Sequence, residues 1–104
     1  MKCIWSPTAA AELDKTIDYL IESFGAAAAL KFIAKIEQWD SWVSENPEIA
    51  RIEPMLVHLE KHHYRSVIIK PHTKIILFSS LDGVQIVDLW DMRRNPKTLI
   101  KRVK

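Results

Sequence analysis

The residues of this chain that are best suited to chemistry are three arginines. Arg65 lies inside a run of β-branched residues, and Arg93 and Arg94 follow the last apolar run. A guanidinium group binds phosphate through paired hydrogen bonds and stabilises the charge that develops in phosphoryl transfer. If neighbouring antiparallel strands bring these side chains to one region, they form an RNA-binding or RNA-cleaving face. The alternative is that Arg65 pairs with Asp88 or Asp91 and supports a sheet.

Histidines near such cations are candidates for moving a proton, because their pKa lies near neutrality. All 4 histidines lie in the second half of the chain, and His58 and His62 are four residues apart with His63 beside them. This spacing also permits a metal site, but no cysteine and no carboxylate of a recognised metal motif joins the pair. We therefore expect neither a metal nor a cofactor. The alternative for each histidine is a surface position without a task.

Two amphipathic helices are predicted in the first half of the chain. Ser6-Pro7 is typical of a helix start, in which Ser caps the first turn and Pro occupies the first helical position. Gly25 ends this helix, and a second helix runs from Ala26 to Asn46-Pro47, where the proline disfavours further helix. With one glycine between them, the helices are expected to form an antiparallel hairpin that packs its apolar stripes on a sheet.

The second half of the chain changes to strand character. Residues 47–62 are predicted to be a loop with one turn of helix at residues 55–59, and residues 97–104 a short helix or a mobile tail. Asp82-Gly83 is a strong hairpin signal. Strands are predicted at residues 2–5, 64–70, 74–80 and 84–91, with a turn at residues 71–73. The resulting β-α-α-β-β-β order predicts an α+β domain in which the helical hairpin packs on an antiparallel sheet, with the last strand in its interior.

The apolar spacing predicts a core shared by the helices and the strands. Trp39 and Trp90 lie on apolar stripes and are expected inside, whereas Trp42 is offset and is expected to be part-exposed, as in a protein interface. Cys3 is expected to be a small buried residue and not a nucleophile. The predicted core residues are Leu20, Phe24, Phe32, Ile36, Val67, Ile69, Ile76, Phe78, Ile86 and Leu89.

Length and composition predict one globular domain over residues 1–104. The 2 glycines and the single cysteine exclude a glycine-rich phosphate loop, a disulfide framework and a cysteine-based zinc cluster. No apolar run approaches the ~20 residues of a membrane span, and the first residues lack the apolar core typical of a signal peptide, so we expect a cytoplasmic protein without a membrane partner.

Charge is unevenly distributed along the chain. The first 50 residues carry 4 Lys/Arg against 8 Asp/Glu, and the remaining residues carry 11 against 5. This asymmetry favours an anionic partner for the second half, either nucleic acid or an acidic protein segment. The alternative is a well-solvated basic tail.

The order of the elements and several segments resemble the RelE/ParE superfamily of toxins from bacterial type II toxin–antitoxin systems. Trp5-Ser6-Pro7 resembles the family's first strand and helix start, and residues 26–32 and 46–49 resemble the two ends of its second helix. Tyr64-Arg65 before an apolar run resembles its second strand. Residues 86–96 resemble its last strand and the arginine-rich turn that follows. The similarity spans nearly the whole chain.

This resemblance implies a small cytoplasmic toxin of the plasmid stabilization type, neutralised by a co-encoded antitoxin, and it allows a homodimer. RelE-like members cut mRNA on the ribosome without a metal, using basic residues and often a C-terminal Tyr or His, whereas ParE-like members block DNA gyrase. Arg65 and Arg93 fit the two RelE-like arginine positions. However, His58 stands where a lysine is expected, and no Tyr or His follows His72. These departures favour the ParE-like branch.

We therefore expect a toxin that acts by protein binding, with gyrase as its target. The alternative is a metal-independent, ribosome-dependent endoribonuclease in which Arg65 and Arg93 hold the phosphate while His58 or His63 moves the proton. A third possibility is an inactive relative retained for antitoxin binding. An acidic antitoxin segment is expected to contact the cations and to place apolar side chains in a groove beside the last strand. The predicted binding residues are Arg65, Arg93, Arg94, Lys97, Lys101 and Arg102.

Overall fold

The computed structural model describes residues 2–69 and 72–103. Short 3-10 turns at Pro47–Ile49 and Pro54–Leu56 flank the second strand. The predictions for Lys70, Pro71 and Lys104 lie outside the described residues. The helices are α1 (Pro7–Phe24), α2 (Ala26–Glu45) and α3 (Pro96–Val103), and the strands are β1 (Cys3–Trp5), β2 (Arg51–Ile52), β3 (Arg65–Ile69), β4 (Thr73–Ser80) and β5 (Gly83–Asp91).

The helical hairpin forms for the local reasons that the sequence predicts. The Ser6 hydroxyl accepts a hydrogen bond from the backbone N–H of Ala9 at 3.0 Å, and Pro7 follows at the first helical position. Gly25 has a φ of 92°, where a residue with a Cβ is strained, and its N–H donates to the Ile21 carbonyl at 3.0 Å. The same glycine is the residue from which α2 begins, so the chain reverses within one residue.

The strands form one sheet in the order β1-β5-β4-β3-β2. The predicted α+β fold and the interior position of the last strand are confirmed, since β5 has a neighbour on each side. The sheet is mixed and not purely antiparallel, because β1 lies parallel to β5 through the pairs Cys3↔Val84 and Trp5↔Ile86. No local turn signal reports the direction of so distant a pairing. The segment predicted to be a loop also contributes the two-residue edge strand β2.

Apolar side chains form a cluster on each face of the sheet. The first cluster lies under α1 and α2, and the second lies under α3 and the 54–59 segment. Phe24 was expected in the core, but it is the last residue of α1 and is 68% exposed. Trp90 is buried as predicted, and Trp42 is 42% exposed and packs edge-on against the part-buried Trp39. Among the described residues, none of the helices is both long and apolar enough to cross a bilayer.

Candidate functional site

Arg65 and Arg93, whose meeting the sequence left open, lie at opposite ends of the strands. Arg65 begins β3 and is level with Leu77 of β4 and Ile86 of β5. Arg93 follows Asp91, which is five residues further along β5, or about 17 Å at 3.3 Å per residue. The strand register therefore does not realise the possibility that neighbouring strands bring these side chains to one region.

Arg65 also lacks the carboxylate partner that was considered for it. Its Nη1 donates to the backbone carbonyl of Ala50 at 2.8 Å. Asp88 and Asp91 bind other arginines. Arg65 therefore fastens the short β2 edge to β3, which is a structural role that strand patterning alone does not predict.

A cleft of about 420 Å³ lies beside β5, between the end of that strand and α1. Tyr19 and Phe24 of α1 expose their rings on one side and contact each other edge to face, with centroids 6.2 Å apart. Leu89 contributes an apolar wall, and Arg93 and Arg94 supply positive charge at the strand end. Apolar surface next to cations is suited to an amphipathic, acidic protein segment.

Asp91 holds Arg93 at the mouth of this cleft. The guanidinium Nη2 lies 2.6 Å from Asp91 Oδ2 and Nε lies 3.0 Å from Oδ1, so the contact is bidentate. Hydrogen bonding from Arg93 lowers the pKa of Asp91 to about 2. The Arg93 side chain nevertheless stays 59% exposed. It is therefore oriented within the structure and still open to a partner's carboxylate.

Arg94 and Arg102 lie against the same indole ring. The Arg94 guanidinium carbon is 4.6 Å from the Trp90 ring centroid, and that of Arg102 is 5.5 Å away. Arg102 was predicted to bind a partner, but its Nη2 bonds to Asp88 Oδ1 at 2.9 Å and to Glu12 Oε1 at 3.3 Å. The Arg102 side chain therefore makes contacts within the fold. Lys97 and Lys101 of α3 are exposed.

The histidine candidates do not surround the cleft arginines. His62 stacks on Phe78, with ring centroids 3.7 Å apart, and burial together with the charge of Lys61 lowers its pKa. His58 and His63 are exposed, and His63 precedes Arg65 at the far end of the sheet. His72 is the histidine that lines the cleft.

Sequence reasoning did not identify Tyr19, Phe24 or His72 as site residues. Phe24 offers one usable signal, since an aromatic residue immediately before a helix-ending glycine lies at the very end of its helix. Tyr19 and His72 carry no comparable signal, because their place in the cleft depends on how α1 crosses β5.

The order of elements, the mixed sheet and the arginine-bearing cleft define a RelE/ParE-like toxin fold. A family model described as "ParE toxin of type II toxin-antitoxin system, parDE" matches residues 3–96, and this chain belongs to that family. Because such a toxin is one half of a two-protein system, a cognate antitoxin is its partner.

The fold is also similar to a chain in the solved structure "Chromosomal ParDE TA system from P. aeruginosa". That similarity has a TM-score of 0.68 at 20% sequence identity and covers 88% of this chain and 95% of the other. No curated protein sequence matches this chain significantly.

Proposed function

We propose that this protein is a toxin that acts by protein contact, with DNA gyrase as its target and its antitoxin as its regulator. The observation that carries the proposal is family membership over residues 3–96, since ParE-like toxins block gyrase. A toxin of this kind needs an exposed surface and no catalytic centre. The arginine and aromatic cleft beside β5 offers such a surface.

The geometry gives no support to the endoribonuclease alternative. That mechanism needs Arg65 and Arg93 on one phosphate, yet the register separates them and Arg65 binds the Ala50 carbonyl. It also needs a proton donor near the arginines, because general acid–base catalysis requires hydrogen-bonding distance. His58 and His63 were considered for that role. Both are exposed, and His63 precedes Arg65 at the end of the sheet away from Arg93.

The antitoxin is expected to occupy the cleft with an acidic and apolar segment. Its carboxylates would compete with Asp91 for Arg93 and reach Arg94, while apolar side chains pack against the exposed rings of Tyr19 and Phe24. Because Arg65 lies at the opposite end of the strands, it is left out of this interface. This surface therefore keeps Arg93 and Arg94 of the predicted binding set and adds two aromatic residues.

Gyrase inhibition is tested with purified toxin in a supercoiling assay. Micromolar toxin is expected to inhibit gyrase, and prior addition of the antitoxin is expected to restore supercoiling. Mapping of mRNA 5′ ends after toxin expression serves as the parallel measurement. Unimpaired supercoiling together with codon-phased cuts that disappear in Arg93→Ala would replace this proposal with the endoribonuclease.

A further inference from the structure

A second groove lies on the opposite side of α1 from the cleft, where the two helices meet β1. Its volume is about 430 Å³, similar to that of the cleft beside β5. The groove has an apolar floor and an acidic rim. The floor contains Trp5, Leu13 and Ile36, and the rim contains Asp14, Glu37 and Asp40.

Trp5 and Asp40 form a fixed corner of this groove. The indole Nε1 donates to Asp40 Oδ2 at 2.8 Å, and the Cys3 thiol donates to the Asp40 carbonyl at 3.4 Å. These contacts tie α2 to β1 and hold a carboxylate at the N–H edge of the part-buried indole. The ring and the charge are therefore held in place before any ligand arrives.

The rim has a negative charge that the fold does not neutralise. Within residues 2–69 and 72–103, none of the ion pairs involves Asp14, Glu37 or Asp40. The carboxylates come from both helices and stand around the floor. This is the reverse of the cleft beside β5, which offers arginines to a partner.

We infer that this groove binds an arginine side chain presented by a partner protein. The methylene stem of arginine would cover Leu13 and Ile36, and its planar guanidinium would stack on Trp5. From there, its fork of N–H donors reaches the carboxylates of the rim. Lysine has a compact charge that stacks less well, and an acidic segment would be repelled. The site is independent of the gyrase and antitoxin proposals.

The probe is N-acetyl-arginine amide, titrated into the 15N-labelled full chain and followed by NMR. The reporter is the Trp5 indole N–H, which is assigned with a Trp5→Phe variant. N-acetyl-citrulline amide has nearly the same shape without the charge. We expect the dissociation constant for arginine to be about 1.4- to fivefold lower than for citrulline, the range for exposed charge pairs.

Paired variants distinguish the groove from a general charge effect. Asp14→Asn with Glu37→Gln keeps the Trp5–Asp40 bond and the Asp40 charge, and is expected to reduce the preference for arginine. Glu48→Gln with Glu60→Gln removes the same charge from exposed positions outside the groove and is expected to preserve it. Equal affinities for the two probes, or an unchanged preference in the groove variant, would overturn the inference. Indole shifts that follow protein concentration without any probe would assign the groove to a second copy of this chain instead.

Discussion

At the scale of single residues, Gly83 and Gly25 have backbone angles that other residues adopt at a cost, with φ values of 141° and 92°. Their surroundings differ. A Cβ at Gly83 would collide with the Lys2 carbonyl oxygen beside β1, whereas a Cβ at Gly25 would meet nothing within 4 Å. The two positions therefore separate backbone strain from steric overlap.

Gly83→Ala is expected to destabilise the fold more than Gly25→Ala. The change at Gly25 adds strain alone, about 1–2 kcal/mol. The change at Gly83 also pushes β1 away from β5, for a total of about 2–4 kcal/mol. Urea unfolding of both variants measures the difference. Equal losses would mean that β1 yields without cost and contributes little to the sheet.

Local sequence rules predicted some side-chain contacts of this fold and did not predict others. The Ser6 cap and the turn at Gly25 follow from rules that act within a few residues, and both were predicted. The bonds from Arg65 to Ala50 and from Arg102 to Asp88 were not, since each joins elements whose relative position depends on register and packing. Arg93 and Arg94 were singled out because they follow the end of a strand.

At the scale of elements, a network of ion pairs lies at the part of β5 that does not pair with β1. β1 pairs only as far as Ile86. Beyond it, Arg102 of α3 forms ion pairs with both Glu12 of α1 and Asp88 of β5, and the Asp88 residue is fully buried. Arg102 therefore joins α1, β5 and α3.

Arg102→Met is expected to destabilise the protein by about 2–4 kcal/mol, because it leaves the buried Asp88 charge without its nearest cation. Lys101→Met removes an exposed cation from the same helix and is expected to change stability by no more than about 0.5 kcal/mol. Chemical denaturation at pH 7 compares the two. Similar losses would show that α3 is held by apolar packing alone.

The loss of folding stability in Arg102→Met is expected to depend on pH. Burial raises the pKa of Asp88 while Arg102 opposes the rise, so the variant raises this pKa further. A carboxyl with a raised folded-state pKa stabilises the fold at acid pH and loses that contribution as pH rises through the folded pKa. The deficit should therefore be smaller at pH 4 than at pH 7. When both proteins also carry Asp88→Asn, the stability deficit caused by Arg102→Met should no longer depend on pH in this range.

Elements were predicted more completely than their arrangement. Apolar periodicity identified α1, α2 and the three long strands because each repeats a pattern over several residues. β2 has only two residues and was missed, since such a strand exists through its pairing with Ser66 and Arg65. The parallel direction of β1 was missed for the same reason.

At the scale of the whole molecule, opposite charges collect on two separate recesses. The lining of the cleft beside β5 has three cations, Lys15, Arg93 and Arg94, against the two carboxylates of Glu12 and Asp91, and the groove beside β1 has three carboxylates. This separation reflects the uneven charge of the two halves of the chain, which the sequence already showed. Long-range fields of this kind mainly raise association rates.

Replacing Arg93 and Arg94 together by Glu is therefore expected to slow antitoxin association about tenfold at low salt and to flatten its salt dependence. Lys31→Glu with Lys35→Glu makes the same change in net charge at exposed positions of α2 and is the matched control. Surface plasmon resonance with immobilised antitoxin, at two ionic strengths, gives both rates. If both pairs slow association equally, net charge alone steers the antitoxin. If the Arg93 and Arg94 pair leaves the rate at low salt unchanged, the antitoxin approaches another face, because a carboxylate segment entering this cleft must pass those two positions.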